Sequence, residues 1–267
     1  MELALTNLSI FLFMAAVAGL VFGSFLNVCI VRLPQHRSVV YPRSQCVACR
    51  HAISAWDNIP VVSWLLLRGR CRHCRASISL QYPLVELATA GLFAACVLRF
   101  GPHWHALVAA VACFLLLGLA VMDAQTMVLP DSFTLSGLAV AILLHAVAPD
   151  AASHWLGALL AARDAAVAAA ALLLVWGLYW LVRRRSGLGL GDVKLLAMLA
   201  AFFGLADTAF ALFTGVLAAA LFAAGLLATG RANRSTPLPF GTFLCAGGIA
   251  GIFLGAPVMG WYLHLFR

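Results

Sequence analysis

Gly187-Leu188-Gly189-Leu190-Gly191-Asp192-Val193-Lys194 decides how this chain is read. Three glycines at alternate positions lead to one acid, and an apolar, helix-like run follows at once. The sequence on both sides is of membrane grade. A carboxylate at the point where a polar loop enters a lipid-embedded helix is costly, so Asp192 is a functional-site candidate from the outset.

The composition supports that frame. Of 267 residues, 64% are hydrophobic and only 10% are charged, and the mean hydropathy is +1.02. A soluble domain could not keep such a surface wetted, so the chain belongs to the membrane class. The net charge of +8 reads as the asymmetry that orients membrane proteins, not as a nucleic-acid signal. Met1-Glu2-Leu3-Ala4 lacks a basic n-region, and the apolar run behind it is too long for a signal peptide. A retained first span is expected.

Crossing the hydrocarbon core takes about 20 apolar residues. Runs of that kind lie near 8–31, 82–100, 104–122, 132–147, 165–182, 193–205, 208–229 and 241–265. The expected fold class is an all-α polytopic membrane protein with about eight transmembrane helices. The run at 193–205 is short, and the one at 165–182 is Ala-rich behind Arg163-Asp164. The long polar segment 32–81 carries Arg32, Arg37, Arg43, Arg50, Arg68, Arg70, Arg72 and Arg75 against a single acid, Asp57. Arg/Lys-rich loops stay cytoplasmic, so this segment is placed inside and the N-terminus outside. Alternation then brings Arg183-Arg184-Arg185, Arg231 and Arg234 inside as well and leaves Arg99, Arg163 and Arg267 outside. The C-terminus also falls outside. The expected division is a first transmembrane helix at 1–31, a cytoplasmic cysteine segment at 32–81 and a transmembrane core at 82–267.

Cys46-Val47-Ala48-Cys49 and Cys71-Arg72-His73-Cys74 are two CxxC knuckles separated by 21 residues. Each knuckle lets two thiolates face one ion, and two of them close a tetrahedral shell around zinc. Clustered arginines favour thiolates, and a reducing cytoplasm disfavours disulfides. His51 and His73 could substitute as ligands, but four cysteines suffice. A closed four-thiolate site has no open position, so the expected Zn2+ is structural. It would supply folding free energy to about 50 residues with few large apolar side chains. Cys29, Cys96, Cys113 and Cys245 lie in apolar runs and read as small hydrophobes.

The charge topology puts Asp123, at the end of the third span, on the same face and at similar depth as Asp192. Two carboxylates facing each other in a low-dielectric cleft cannot both ionise easily. One ionised and one protonated partner can activate a shared water and stabilise an oxyanion. Gly189 and Gly191 would give an extended peptide room beside the acid. Other readings stand beside this one. Asp192 would also serve as a helix cap, Asp123 as an interfacial residue paired to an arginine, and Asp131, after Leu129-Pro130, as an N-cap. Lys194 reads as an interfacial anchor, and Glu86 as a partner for an arginine or a residue lining the cleft.

Taken in order, the motifs resemble the type IV prepilin peptidases, membrane-embedded GxGD-type aspartic proteases of pilus assembly and type II secretion. The resemblance rests on Gly23-Ser24-Phe25-Leu26-Asn27-Val28 with Arg32-Leu33-Pro34, the two CxxC pairs, Asn58-Ile59-Pro60 and Ser63-Trp64-Leu65. It continues through Gly69-Arg70-Cys71-Arg72, Tyr82-Pro83-Leu84-Val85-Glu86, Asp123 with Leu129-Pro130-Asp131, Gly189-Leu190-Gly191-Asp192-Val193-Lys194-Leu195 and Pro239-Phe240-Gly241. It implies that Asp123 and Asp192 form the catalytic pair and that prepilin or pseudopilin leaders are cut on the cytoplasmic face of the bacterial inner membrane. It also implies N-methylation of the new N-terminus with S-adenosylmethionine, because members that keep the four cysteines are typically bifunctional. Asn27 and Glu86 are candidates for donor contacts as polar residues of these motifs near the inner face. Val47 departs from the family, which usually has proline after the first cysteine; only the stiffness of the turn changes.

Two other classes compete. A proton-coupled transporter also uses buried acids, but these acids lie at the membrane edge and no broken helix pair is evident. A membrane thiol oxidoreductase would use the CxxC pairs, whose spacing suits a metal better.

Overall fold

The structure, a computed structural model, describes residues 2–149, 154–184, 189–231, 233 and 236–264. Gly187 and Leu188 of the opening stretch, and the expected boundary charges Arg185, Arg234 and Arg267, lie outside them. Among the described residues there are eight α-helices and no strands: α1 (Glu2–Arg32), α2 (Val62–Leu66), α3 (Gln81–Phe100), α4 (Trp104–Thr126), α5 (Asp131–Ala146), α6 (His154–Arg183), α7 (Leu190–Ala228) and α8 (Phe240–His264).

Among the described residues, six helices are long and apolar enough to cross a membrane: Leu8–Gln35, Gln81–Phe100, Trp104–Thr126, Trp155–Arg183, Leu190–Ala228 and Phe240–Val258. α5 is a shorter apolar helix. The 39 residues of α7 break at Gly204, whose φ of 78° and ψ of 176° are not helical. That break separates the runs read as the sixth and seventh spans, so the eight apolar runs each have a helical segment. α6 starts earlier than its apolar run and passes through Arg163-Asp164, where the arginine donates to Asp164 Oδ1 at 2.7 and 2.8 Å. Pairing the two charges lowers the cost of carrying them within an apolar helix.

The chain divides into two compact units, residues 1–114 and 115–267. In the first, α1 packs along α3. The contact runs through Gly19 and Gly23, one helical turn apart. A Cβ at Gly19 would lie 2.5 Å from Ala90 Cα, and one at Gly23 would lie 2.7 Å from Glu86 Cα. Close backbone approach of this small-xxx-small kind is how helices gain van der Waals contact in lipid, where burial of apolar surface drives little. The cysteine segment is anchored by Trp64, whose indole N–H donates to Ile78 O at 3.2 Å.

In the second unit α7 is the central element, packed by α5, α6 and α8. Its first half holds the longest buried run among the described residues: Leu195, Leu196, Met198, Leu199 and Phe202 are all buried. Outward-facing side chains such as Leu159, Leu174, Phe213 and Leu221 are exposed and apolar, as lipid-facing residues are.

Candidate functional site

The cysteine segment is built from one local pattern used twice. Cys46 N–H donates to His51 O at 2.9 Å and Arg50 N–H to Cys46 O at 2.9 Å; Cys71 N–H donates to Ala76 O at 2.8 Å and Arg75 N–H to Cys71 O at 3.0 Å. Arg50 and Arg75 close the two turns with positive φ, 57° and 60°. Each knuckle is sealed by an isolated antiparallel bridge, Gln45 with Ala52 and Arg70 with Ser77. This backbone repeat is invisible in the residues between the cysteines, which differ at every position.

The two turns bring the four sulfurs within 4.8 Å of one another, with Cys46 Sγ and Cys74 Sγ at 3.8 Å. Four thiolates about 2.3 Å from one zinc are about 3.8 Å apart along the edges of the tetrahedron, so the cluster has the dimensions to hold a metal ion. Backbone N–H groups of Cys49 and then Ala48 pull the Cys46 thiol down to about 6, toward the thiolate that metals bind. His51 and His73 stack beside the cluster with ring centroids 3.5 Å apart and are not among the four grouped ligands. Asp57, the one acid of the segment, takes both Nε and a terminal nitrogen of Arg72, the latter at 2.5 Å. Those hydrogen bonds hold its carboxyl below the usual range.

The second unit holds Asp123 and Asp192. Asp123, in the last turn of α4, is 5% exposed, and Asp192, in the first turn of α7, is 8% exposed. The two are within electrostatic reach of each other, and buried Cys245 is within reach of both. Asp192 Oδ2 accepts the N–H of Gly189 at 3.1 Å, so it satisfies a donor at its own helix start. Asp123 is held from α8. Thr242 N–H donates to Asp123 Oδ2 at 2.6 Å, and the Thr242 hydroxyl lies 3.0 Å from the same oxygen. That hydroxyl is also 3.1 Å from Ala120 O, and its single proton serves one acceptor at a time.

The glycines have a tighter job than leaving room for a substrate. Gly189, with φ −79° and ψ 144°, is extended backbone open to any residue. At Gly191 a Cβ would meet Leu129 Cβ at 3.1 Å, and at Gly241 it would meet Leu129 Cδ1 at 3.0 Å and Asp123 Oδ2 at 3.1 Å. Leu129 therefore wedges between two bare backbone positions, beside both acids.

Asp131 is not the N-cap its position suggested. The cap residue of α5 is Pro130, without a side-chain bond, and Asp131 Oδ1 instead pairs with Lys194 Nζ at 2.6 Å. Lys194 thus ties α7 to α5 and is more than an anchor. In the first unit, Asn27 donates to Gly23 O and Tyr82 O at 3.3 and 3.0 Å. Glu86 accepts the N–H of Val61 at 2.7 Å and a hydrogen bond from Ser24; it pairs with no arginine among the described residues. Thr242 was missed by sequence reasoning, although it directly follows the quoted Pro239-Phe240-Gly241.

An all-helical fold with six membrane-length apolar helices among the described residues, four clustered thiols and two buried carboxylates defines a multi-pass membrane protein. Residues 17–100 match the bacterial peptidase A24 N-terminal domain, and residues 109–224 match the type IV leader peptidase family. The chain is 40% identical over 274 residues to a prepilin leader peptidase/N-methyltransferase of Burkholderia pseudomallei (strain 1026b), covering 91% of this chain and 85% of that one. Proteins of the same name from Aeromonas hydrophila and Stutzerimonas stutzeri are 37% and 34% identical; the alignments cover 93% and 100% of this chain and 92% and 98% of theirs. No solved structure matches. The chain belongs to the type IV leader peptidase family.

Proposed function

We propose that this protein cleaves the leaders of type IV prepilins and pseudopilins at the cytoplasmic face of the bacterial inner membrane. Asp123 and Asp192 are the catalytic pair. The observation that carries the reading is the pairing of two buried carboxylates, each anchored through one oxygen: Asp123 by Thr242 and Asp192 by Gly189. Anchoring Oδ2 of each acid leaves the other oxygen to face a water. One carboxyl is protonated and the other ionised, since two adjacent charges in a low dielectric are expensive. The ionised acid takes a proton as water attacks the peptide carbonyl. The protonated acid hydrogen-bonds the oxyanion, and the C–N bond breaks as the leaving amine takes up a proton.

The amine so released is then N-methylated, as the names of the relatives indicate for those proteins. S-adenosylmethionine would supply the electrophilic methyl group. The four cysteines hold a structural Zn2+ that orders the segment 32–81. The functional division is a first transmembrane helix at 1–31, this cytoplasmic segment, and a transmembrane peptidase core at 82–267. It cuts across the packing units because α1 and α3 clasp the segment from both chain ends. Both termini lie on the periplasmic side, as the arginine distribution favours. The prepilin N-terminus, a hydrophobic helix, reaches the site laterally from the lipid.

The test is incubation of the purified protein with a prepilin in detergent, with leader loss read by electrophoresis. Asp123→Asn and Asp192→Asn each abolish cleavage while the zinc content is unchanged. Cleavage retained by either variant removes that residue from the pair. Methyl transfer is read separately, as label passing from S-adenosylmethionine to the mature N-terminus.

A further inference from the structure

Along α1, Val21, Phe25, Val28 and Arg32 follow one another at helical spacing, so they share one face of the helix. It is the face turned away from Gly19 and Gly23, which meet α3. A cavity of about 520 Å3 opens against it, lined on its other side by Arg43, Ser44 and Asn58 of the cysteine segment. Its volume falls within the roughly 300–1,000 Å3 of small-molecule sites. Neither Asp123 nor Asp192 lines it, nor does any of the four clustered cysteines.

The two ends of this cavity differ in character. At the apolar end Val21 and Phe25 are 58% and 45% exposed, as side chains that face acyl chains are. At 1.5 Å per residue, Val21 lies about 16 Å along the helix axis from Arg32. That is about half of the roughly 30 Å hydrocarbon core, the depth of one leaflet. At the other end Arg32, the last residue of α1, is only 9% exposed. Residues 38–43 fold over it, and its guanidinium donates to Ser38 O at 3.0 Å and Arg43 O at 3.5 Å. Those bonds take two of its five N–H donors. Among the described residues no carboxylate pairs with Arg32 or with Arg43, and the lining holds both arginines and no acid. A buried cation without a counter-charge is costly. A phosphate matches it, because it accepts two parallel N–H bonds from one guanidinium fork. Ser44 and Asn58 add a hydroxyl and an amide to the lining.

We propose that the cavity seats an anionic phospholipid, with its phosphate on Arg32 and Arg43 and one acyl chain along Val28, Phe25 and Val21. The counter-charge that Arg32 lacks within the chain comes from the bilayer, whose anionic headgroups lie at the depth of a helix end. A choline headgroup would bring a cation to two arginines and no acid. A soluble phosphate ester would leave the apolar face of α1 unused. The bound lipid ties the cysteine segment to the leaflet from which α1 emerges. The site depends neither on the acid pair nor on methyl transfer.

The test is native mass spectrometry of the purified full-length protein released from neutral detergent. It is titrated with phosphatidylglycerol or with phosphatidylcholine of the same chains. The wild type holds one phosphatidylglycerol about tenfold more tightly than phosphatidylcholine, the scale of one charge-assisted contact. Arg43→Glu abolishes that preference while keeping the backbone carbonyl that Arg32 uses. Where the thermal unfolding midpoint shows that this variant does not fold, Arg43→Gln takes its place, with the preference reduced. Arg32→Lys keeps the charge without the fork, and the preference falls. Arg37→Glu is the control: Arg37 is exposed and does not line the cavity, so the preference stays. Equal affinity of the wild type for the two lipids overturns the assignment. So does a preference that survives the Arg43 and Arg32 variants alike. So does one that Arg37→Glu removes as fully as Arg43→Glu, which would mean general attraction to a basic surface. Glycerol 3-phosphate at matched concentration leaves phosphatidylglycerol bound; displacement by it would mean a soluble phosphate site and no role for the face of α1.

Discussion

Thr242 is the residue on which the proposed chemistry can be tested most sharply. It sits on α8, more than a hundred residues from Asp123, and presents two donors to one carboxylate oxygen, the backbone N–H at 2.6 Å and the hydroxyl at 3.0 Å. Thr242→Val removes only the hydroxyl and keeps the shape and the backbone donor. A hydrogen bond to a charged group contributes about 1.5–3 kcal/mol. The hydroxyl divides its proton between Asp123 and Ala120 O at 3.1 Å, so the lower end applies, about 1.5 kcal/mol. Expressed in the transition state, that is roughly a tenfold fall in the rate of leader cleavage. The loss should fall on kcat with KM unchanged, because Thr242 orients an acid and does not touch substrate. Thr242→Ser, which keeps the hydroxyl, should restore most of the rate. The assay is steady-state cleavage of a prepilin in detergent across substrate concentrations, with thermal unfolding in parallel. An unchanged kcat in Thr242→Val, or a loss carried by KM, would refute the positioning role.

Three further outcomes follow from named contacts. Gly23→Leu drives a side chain into α3 where a Cβ alone lies 2.7 Å from Glu86 Cα; overpacking should cost about 1–3 kcal/mol, read as a lowered midpoint of thermal unfolding in detergent. Elemental analysis should find about one zinc per chain, and Cys46→Ser or strong chelation should make the 32–81 segment sensitive to protease while α1 and α3 stay intact. Zinc-free protein with both CxxC pairs oxidised would favour a thiol oxidoreductase instead. Asp131→Asn breaks the Lys194 pair, whose side chains are 61% and 33% exposed. The stability change should stay within about 1 kcal/mol after solvent screening, and leader cleavage should persist, in contrast to Asp123→Asn. Loss of cleavage in Asp131→Asn would mean that the wrong acid of the Asp123–Asp131 stretch had been assigned.

The apolar runs, the arginine asymmetry and the paired CxxC knuckles were all legible in the chain. Each is set locally: by the length a helix needs to cross hydrocarbon, by which loops stay cytoplasmic, and by how two thiolates fit one tight turn. The same local signals placed Asp192 at a helix start and Asp123 at a helix end. What they left open was which contact each polar group makes. Asp131 had the position of a cap, but Lys194 lies across from it on α7, and an ion pair between helices is invisible to a local reading. Gly189 and Gly191 read as freedom for the backbone and room for a substrate; tertiary packing instead sets Leu129 against Gly191, and against Gly241 as well. Thr242 carries no motif signal of its own, because its significance lies in being folded against Asp123 from α8; Arg32 was quoted only as part of Arg32-Leu33-Pro34, which gave no sign that it is buried with no carboxylate paired to it among the described residues. The sequence by itself determined a multi-pass helical protein with two acids and four thiols set in place. Only the tertiary structure decided which donors hold those acids and which buried charge is left without a partner, since burial and pairing depend on helices far apart in the chain.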